Sequence, residues 1–260
     1  MSTDGKVITE IRLGGAPGTN PPARHWVGRA VALLLGGLLA SACSKLADSP
    51  PNPLGYGYFP LEVGQFTVYD LTDVTYSLAQ PPVMQHYQVK EVVRDTFTNL
   101  AGQVSYRVER FTRVQPGDAW ALDSVWTALR TTTQAVKTEN NVSFVKVIFP
   151  PREGLRWNGN ALNGREKDEY QIKRLGKRFT LEDVSFDETL TIHQGRDTTA
   201  NLVGQDKRIE VYARDIGLVY QERVSVNFCY NPDPPDPCLG QGRIDYGARR
   251  IQRIIGYGKE

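Results

Sequence analysis

Alternation of apolar and polar residues dominates the chain from Tyr56 onward. In Val104-Ser105-Tyr106-Arg107-Val108-Glu109-Arg110, Val104, Tyr106 and Val108 share one parity, and Ser105, Arg107 and Glu109 share the other. In Tyr87-Gln88-Val89-Lys90-Glu91-Val92-Val93 one parity is mostly apolar and the other mostly polar. Successive side chains of a strand point to opposite faces, so a period of two predicts half-buried strands. Residues 95–102 read as strand end and turn, and the two runs flanking them make a β-hairpin. Further strands are expected at residues 124–133, 142–149, 170–174, 179–186, 189–193, 208–213, 218–228 and 249–255. Their Val, Thr, Tyr and Phe suit a pleated surface, and Gly, Asn, Asp and Pro punctuate the gaps.

Nothing beyond residue 43 keeps a period of 3.6 over twelve residues. The nearest stretch is 119–130, where Trp126-Thr127 followed by three consecutive Thr argues for strand. The expectation is an all-β domain of roughly 9–11 strands with hairpin connections. One face of each strand is apolar, so the sheet must curl on itself or pack on a second layer. A single curved antiparallel sheet, as a half-barrel or a barrel, is the fold class expected, with a sandwich as the other solution.

The amino-terminal segment breaks this pattern. Residues 30–39 form an unbroken run of small and apolar residues, preceded by Arg24, His25 and Arg29 and followed by Ala40-Ser41-Ala42-Cys43. A positive flank, a short apolar centre and small residues before a cut are the parts of a secretory signal. The run is too short for a permanent membrane helix, which needs about 20 residues. The segment resembles the lipobox of bacterial lipoproteins, in which a Leu-(Ala/Ser)-(Gly/Ala)-Cys run directs lipid onto the thiol. Here Ala40 stands where Leu is usual, and Leu39 is one step away. The resemblance implies a cut before Cys43, a fatty-acylated Cys43, and a bacterial envelope protein anchored to the outer membrane. Residues 1–24 are long and polar for a leader, as an upstream mis-assigned start codon would produce.

Three segments follow from this reading: a signal peptide and leader at 1–42, a lipidated tether at 43–55, and a β-rich domain at 56–260. The tether is polar and proline-rich, which favours extended chain. It lacks the acidic run typical of surface-exported lipoproteins, so a periplasm-facing position is expected. Cys43, Cys229 and Cys238 are the three cysteines. With Cys43 lipidated, the other two form an even pair suited to an oxidising compartment. Eight residues separate them, four of them Pro and two Asp, so this stretch is a loop between strands. A disulfide between Cys229 and Cys238 is expected.

The opening Tyr58-Phe59-Pro60-Leu61-Glu62-Val63-Gly64 resembles that of uncharacterised envelope lipoproteins of a Tyr-Phe-Pro-Leu-x-x-Gly type. Their later strands often carry a stretch like Tyr212-Ala213-Arg214-Asp215-Ile216-Gly217-Leu218-Val219. The two stretches span about twenty residues, and the resemblance implies a β-rich envelope domain with no known activity.

Charge narrows the partners. Four of the 31 basic and two of the 29 acidic residues lie within 1–42, which leaves 27 of each. A nucleic-acid binder normally carries a basic excess to displace phosphate counterions, so none is expected. No His-Glu-x-x-His, Gly-x-Ser-x-Gly elbow or phosphate loop is present. His86 and His193 lie far apart in separate strands, so neither a metal site nor a cofactor is expected. Carboxylates crowd Glu166, Asp168, Glu169 and Glu182, Asp183, Asp187, Glu188 among basic neighbours, the composition of solvated strand faces. The function expected is a non-enzymatic binding or assembly module for a protein, lipid or glycan. The competing reading is a glycosidase-like hydrolase using paired carboxylates.

Overall fold

The computed structural model describes residues 5–7, 54–195 and 200–260. Thirteen antiparallel strands make one sheet: β1 Gly5–Val7, β2 Gln65–Tyr76, β3 Val83–Thr98, β4 Val104–Arg113, β5 Ala121–Arg130, β6 Gln134–Glu139, β7 Val142–Ile148, β8 Arg156–Asn158, β9 Glu169–Leu181, β10 Val184–Gln194, β11 Gly204–Ala213, β12 Gly217–Phe228 and β13 Ile244–Lys259. Within the run β2 to β7 each consecutive pair of strands is hydrogen-bonded, and the same holds within β8 to β13. β13 then returns to β2, with Ile251 opposite Thr72. Between β2 and β13, the one consecutive pair without a ladder is β7 and β8. That seam is bridged by Val145 N–H donating to Gly159 O at 2.9 Å and Trp157 Nε1 donating to Val145 O at 2.8 Å. The result is a nearly closed up-and-down barrel, the arrangement that removes exposed sheet edges. β1, from the leader segment, pairs with β13, Lys6 opposite Tyr257.

The fold class is the one the alternation predicts, and several strand limits differ. Residues 179–186 are a hairpin and not one strand. β9 ends at Leu181, Glu182 takes a φ of 50°, and β10 starts at Val184. Both halves are β-prone, so the turn residues Glu182 and Asp183 were hidden between them. Residues 124–133 likewise stop early. The Thr131 side chain accepts from the N–H groups of Thr133 and Gln134, and the chain reverses into β6. β9 and β10 each join two short runs that read as separate strands, because Gly176 and Asp187-Glu188 interrupt the pattern without ending the pairing.

One end of the barrel is closed by residues 54–64. A single 3-10 turn at Tyr56–Tyr58 brings Tyr58, Phe59 and Leu61 into the core, where each is buried. Full burial of such a side chain stabilises by roughly 1.5–3 kcal/mol each. Two tethers hold the plug. Arg130 Nη1 donates to the carbonyls of Tyr56 (3.2 Å) and Phe59 (3.0 Å). The Asp215 N–H donates to Gly57 O at 2.7 Å. Asp215 lies in the tight turn between β11 and β12, within the second of the two quoted stretches. Phe59 also packs on Tyr212, ring centroids 6.3 Å apart, and Arg214 lies over the Tyr58 ring. The two stretches, some 150 residues apart in sequence, are therefore one structural unit.

Candidate functional site

Below the plug the barrel encloses a cavity of about 130 Å³. Its plug end is lined by Phe59, Leu61, Val93, Val108, Ala128 and Leu218. Further in, the wall becomes charged, with Glu91 on β3, Lys137 and Glu139 on β6, Lys146 on β7, Arg223 on β12 and Arg250 on β13. The register explains this. Glu91 shares parity with Val89 and Val93 and Lys137 sits opposite Ala128, so both point the same way as apolar neighbours, while Arg223 and Arg250 sit opposite each other.

These charges form a network. Lys146 Nζ lies 2.7 Å from Glu210 Oε1 and 3.3 Å from Glu139 Oε1. Glu210, on β11, also accepts from Tyr212 Oη at 2.6 Å and Gln221 Nε2 at 2.8 Å. Lys137 pairs with Glu91 at 2.7 Å, and both Lys137 and Arg110 lie over the Trp126 ring at 4.8 Å. Arg250 holds Asp73 in a two-pronged contact, both prongs 2.7 Å, and Tyr87 Oη adds a third bond to Asp73. Buried ions require such complete pairing, because desolvation is costly.

The pairing sets the charge states. Burial pushes the Glu210 carboxyl up, but the charges of Lys146 and Arg223 and the hydrogen bonds from Lys146 and Tyr212 outweigh it and take it down to about 2. Glu139 is lowered too: burial opposes, and Lys146 and Lys137 prevail. Burial lowers Lys146, but Glu139 and Glu210 raise it above the usual lysine value. All three are ionised at neutral pH. Side-chain exposure is 13 % at Lys137 and Glu91, but 39 % at Arg223 and 43 % at Arg250, so the cavity reaches solvent at the end away from the plug.

The residues singled out from sequence fall elsewhere. Cys43 lies outside the described residues. Cys229 and Cys238 form a disulfide, Cα atoms 5.7 Å apart, at the base of the loop between β12 and β13. The loop is further ordered by Cys238 N–H on Asn231 O at 2.8 Å and by an Arg243–Asp236 ion pair at 2.7 Å. His86 contacts Asp70 at 3.0 Å and Thr72 at 3.3 Å on an exposed face. His193 is lowered by burial first, then by Lys173, Lys207 and Arg174. Of the seven carboxylates expected on solvated faces, five are ion-paired: Asp168 with Arg208, Glu169 with Arg156, Glu182 with Arg253, Asp187 with Arg178 and Glu188 with Arg214. Among the described residues, no three His, Cys, Asp or Glu gather as metal ligands would.

The interior network was missed. Its signal is a charge on the apolar parity of a strand, as at Glu91 between Val89 and Val93. Lys146 inside the apolar run 142–149 is a second instance.

No family model matches the chain, and no curated protein matches it. Among solved structures it aligns with the crystal structure of a "putative lipoprotein" from Parabacteroides distasonis. The alignment has 12 % sequence identity and a TM-score of 0.36, and covers 77 % of this chain and 97 % of that one.

Proposed function

We propose that this chain is an envelope lipoprotein, anchored to the outer membrane through lipid on Cys43, whose barrel is a non-enzymatic binding or assembly module facing the periplasm. The carrying observation is the cysteine arithmetic. Cys229 and Cys238 are joined to each other, which leaves Cys43 as the third cysteine. A disulfide belongs to an oxidising compartment, and the sequence before Cys43 has the parts of an export signal.

The interior supports a binding role over a hydrolytic one. A glycosidase needs one carboxyl that stays protonated until it donates to the leaving group. Glu139 and Glu210, the carboxylates that share Lys146, are both held ionised. A charged cavity of about 130 Å³ also suits a small polar ligand and disfavours an acyl chain. The plug begins at Leu54, eleven residues after Cys43, a span of at most roughly 40 Å.

The test is the intact mass of the protein extracted from its host membrane in non-ionic detergent. The expected species begins at Cys43 and carries the added mass of a diacylglycerol. A mature chain starting elsewhere, or a free thiol at Cys43, overturns the proposal.

A further inference from the structure

Strand β9 carries Lys173-Arg174-Leu175-Gly176-Lys177-Arg178. Strict alternation would turn half of these cations inward. Two β-bulges prevent it. Arg174 pairs with Thr191 and Ile172 with Ile192, which leaves Lys173 as the extra residue of one bulge. Lys177 pairs with Thr189 and Leu175 with Leu190, which leaves Gly176 as the extra residue of the next, at a φ of 65°. A bulge re-aims the side chains around it. Ile172 is buried and Leu175 packs on the core, while Lys173, Arg174, Lys177 and Arg178 are all exposed. Arg178 pairs with Asp187 at 2.6 Å. Among the described residues the other three cations have no anionic partner. Their field reaches His193, whose pKa is lowered by burial first and then by Lys173, Lys207 and Arg174.

The stripe lies beside the point where the tether leaves the barrel. The turn at residues 152–155 is joined to β9 through Gly154 N–H, which donates to Ile172 O at 2.8 Å. Pro151, next to that turn, packs against Gly55, where an added Cβ would lie 2.5 Å from Pro151 Cδ. From Leu54 the chain runs back to Cys43. Arg152 and Glu153 in the turn are both exposed and offset each other, so the basic excess stays on β9.

We propose that Lys173, Arg174 and Lys177 dock the barrel onto the leaflet that holds the Cys43 lipid, by contact with the phosphates of anionic phospholipids. This inference rests on reading Cys43 as the lipid anchor. The tether by itself permits any orientation of the barrel, and the stripe selects one. Phosphate suits these groups, since a guanidinium takes it in two parallel hydrogen bonds and an ammonium meets it as a point charge. Each cation held at an anionic surface favours contact by roughly fivefold, so three favour it by roughly a hundredfold at low salt. The tether spans at most roughly 40 Å, which keeps the stripe near the surface and raises its effective concentration there.

The test places the detergent-extracted protein in vesicles of phosphatidylcholine alone or of equal parts phosphatidylcholine and phosphatidylglycerol. A water-soluble acylating reagent marks exposed lysines, and mass spectrometry reads the rate at each. In the anionic vesicles Lys173 and Lys177 should react about fivefold or more slowly relative to Lys167, which lies beyond the other end of β9, and high salt should abolish the difference. Arg174→Glu should restore both rates, and circular dichroism checks that it folds. The vesicle comparison on the unaltered protein is decisive on its own. Equal relative rates in the two vesicles, slowing that high salt does not relieve, or slowing that a folded Arg174→Glu leaves intact overturns the docking. The intact mass of the same preparation reads the anchor separately. Equal rates with a diacylglycerol on Cys43 remove the docking alone, and a Cys43 without lipid removes both.

Discussion

Lys146 on β7 and Glu210 on β11 meet inside the barrel at 2.7 Å, with side chains 3 % and 1 % exposed. The two strands are not neighbours in the sheet, so this ion pair spans the interior. Removing one member strands the other. Lys146→Met should leave Glu139 and Glu210 facing each other without their shared cation and destabilise by about 3–5 kcal/mol. Lys146→Met combined with Glu210→Gln should cost less than Lys146→Met alone, because no uncompensated charge stays buried at Glu210. Urea unfolding midpoints measure both, and additive effects would refute the coupling.

Acid should weaken the fold through the same group. Glu210 is lowered from 4.5 to about 2 in the folded chain. The folded state therefore binds this proton less readily than the unfolded state. The resulting stability is fully present above about pH 4.5 and is lost as pH falls towards about 2. The loss is on the order of 3 kcal/mol. Glu210→Gln should start less stable at pH 7 and show a shallower decline across that window. Thermal melts from pH 7 to pH 2.5 decide it, and parallel declines for both proteins would remove Glu210 as the cause.

The plug should be held mainly by its buried aromatic. Phe59 is 8 % exposed and packs on Tyr212. Phe59→Ala should cost about 3 kcal/mol or somewhat more, since it removes a large side chain from a closed end of the core. A Cβ at Gly57 would lie 2.6 Å from Asp215 Oδ1 and 3.1 Å from Arg214 Cγ. Gly57→Ala should therefore loosen the contact between the plug and the β11–β12 turn. Hydrogen exchange should show faster exchange at the Asp215 amide in Gly57→Ala, and an unchanged rate would contradict the contact.

The disulfide should stabilise modestly. Loop closure alone gives roughly 3 kcal/mol for a loop of this length. The prolines and the Asn231 and Arg243 contacts already restrict the chain. Cys229→Ser with Cys238→Ser is expected to cost about 1–2 kcal/mol by urea unfolding. A loss above about 4 kcal/mol would mean the bond does more than close this loop.

The architecture was legible because period-two patterning, turn residues and the lack of helical periodicity all point one way. Barrel closure was not legible, since it depends on β13 meeting β2 across the length of the chain. Strand limits failed where turn chemistry was weak. Glu182-Asp183 reverses the chain without Gly or Pro, whereas Gly176 sits inside β9 without ending it. The cavity was half legible. Charges at Glu91 and Lys146 break the apolar parity of their strands, but which carboxylate meets which cation is set by register between distant strands. The contact between the stretches at 58–64 and 212–219 was beyond reach for the same reason, although both were visible as sequence.

The central claim is that Cys43 carries the lipid that holds this protein in the envelope. Metabolic labelling with a clickable fatty acid tests it directly, comparing the unaltered chain with Cys43→Ala in the same bacterial host. The account predicts label on the unaltered protein, none on Cys43→Ala, and release of Cys43→Ala from the membrane fraction or its retention as an uncut precursor. Equal label on both proteins, or no label on either, would contradict it.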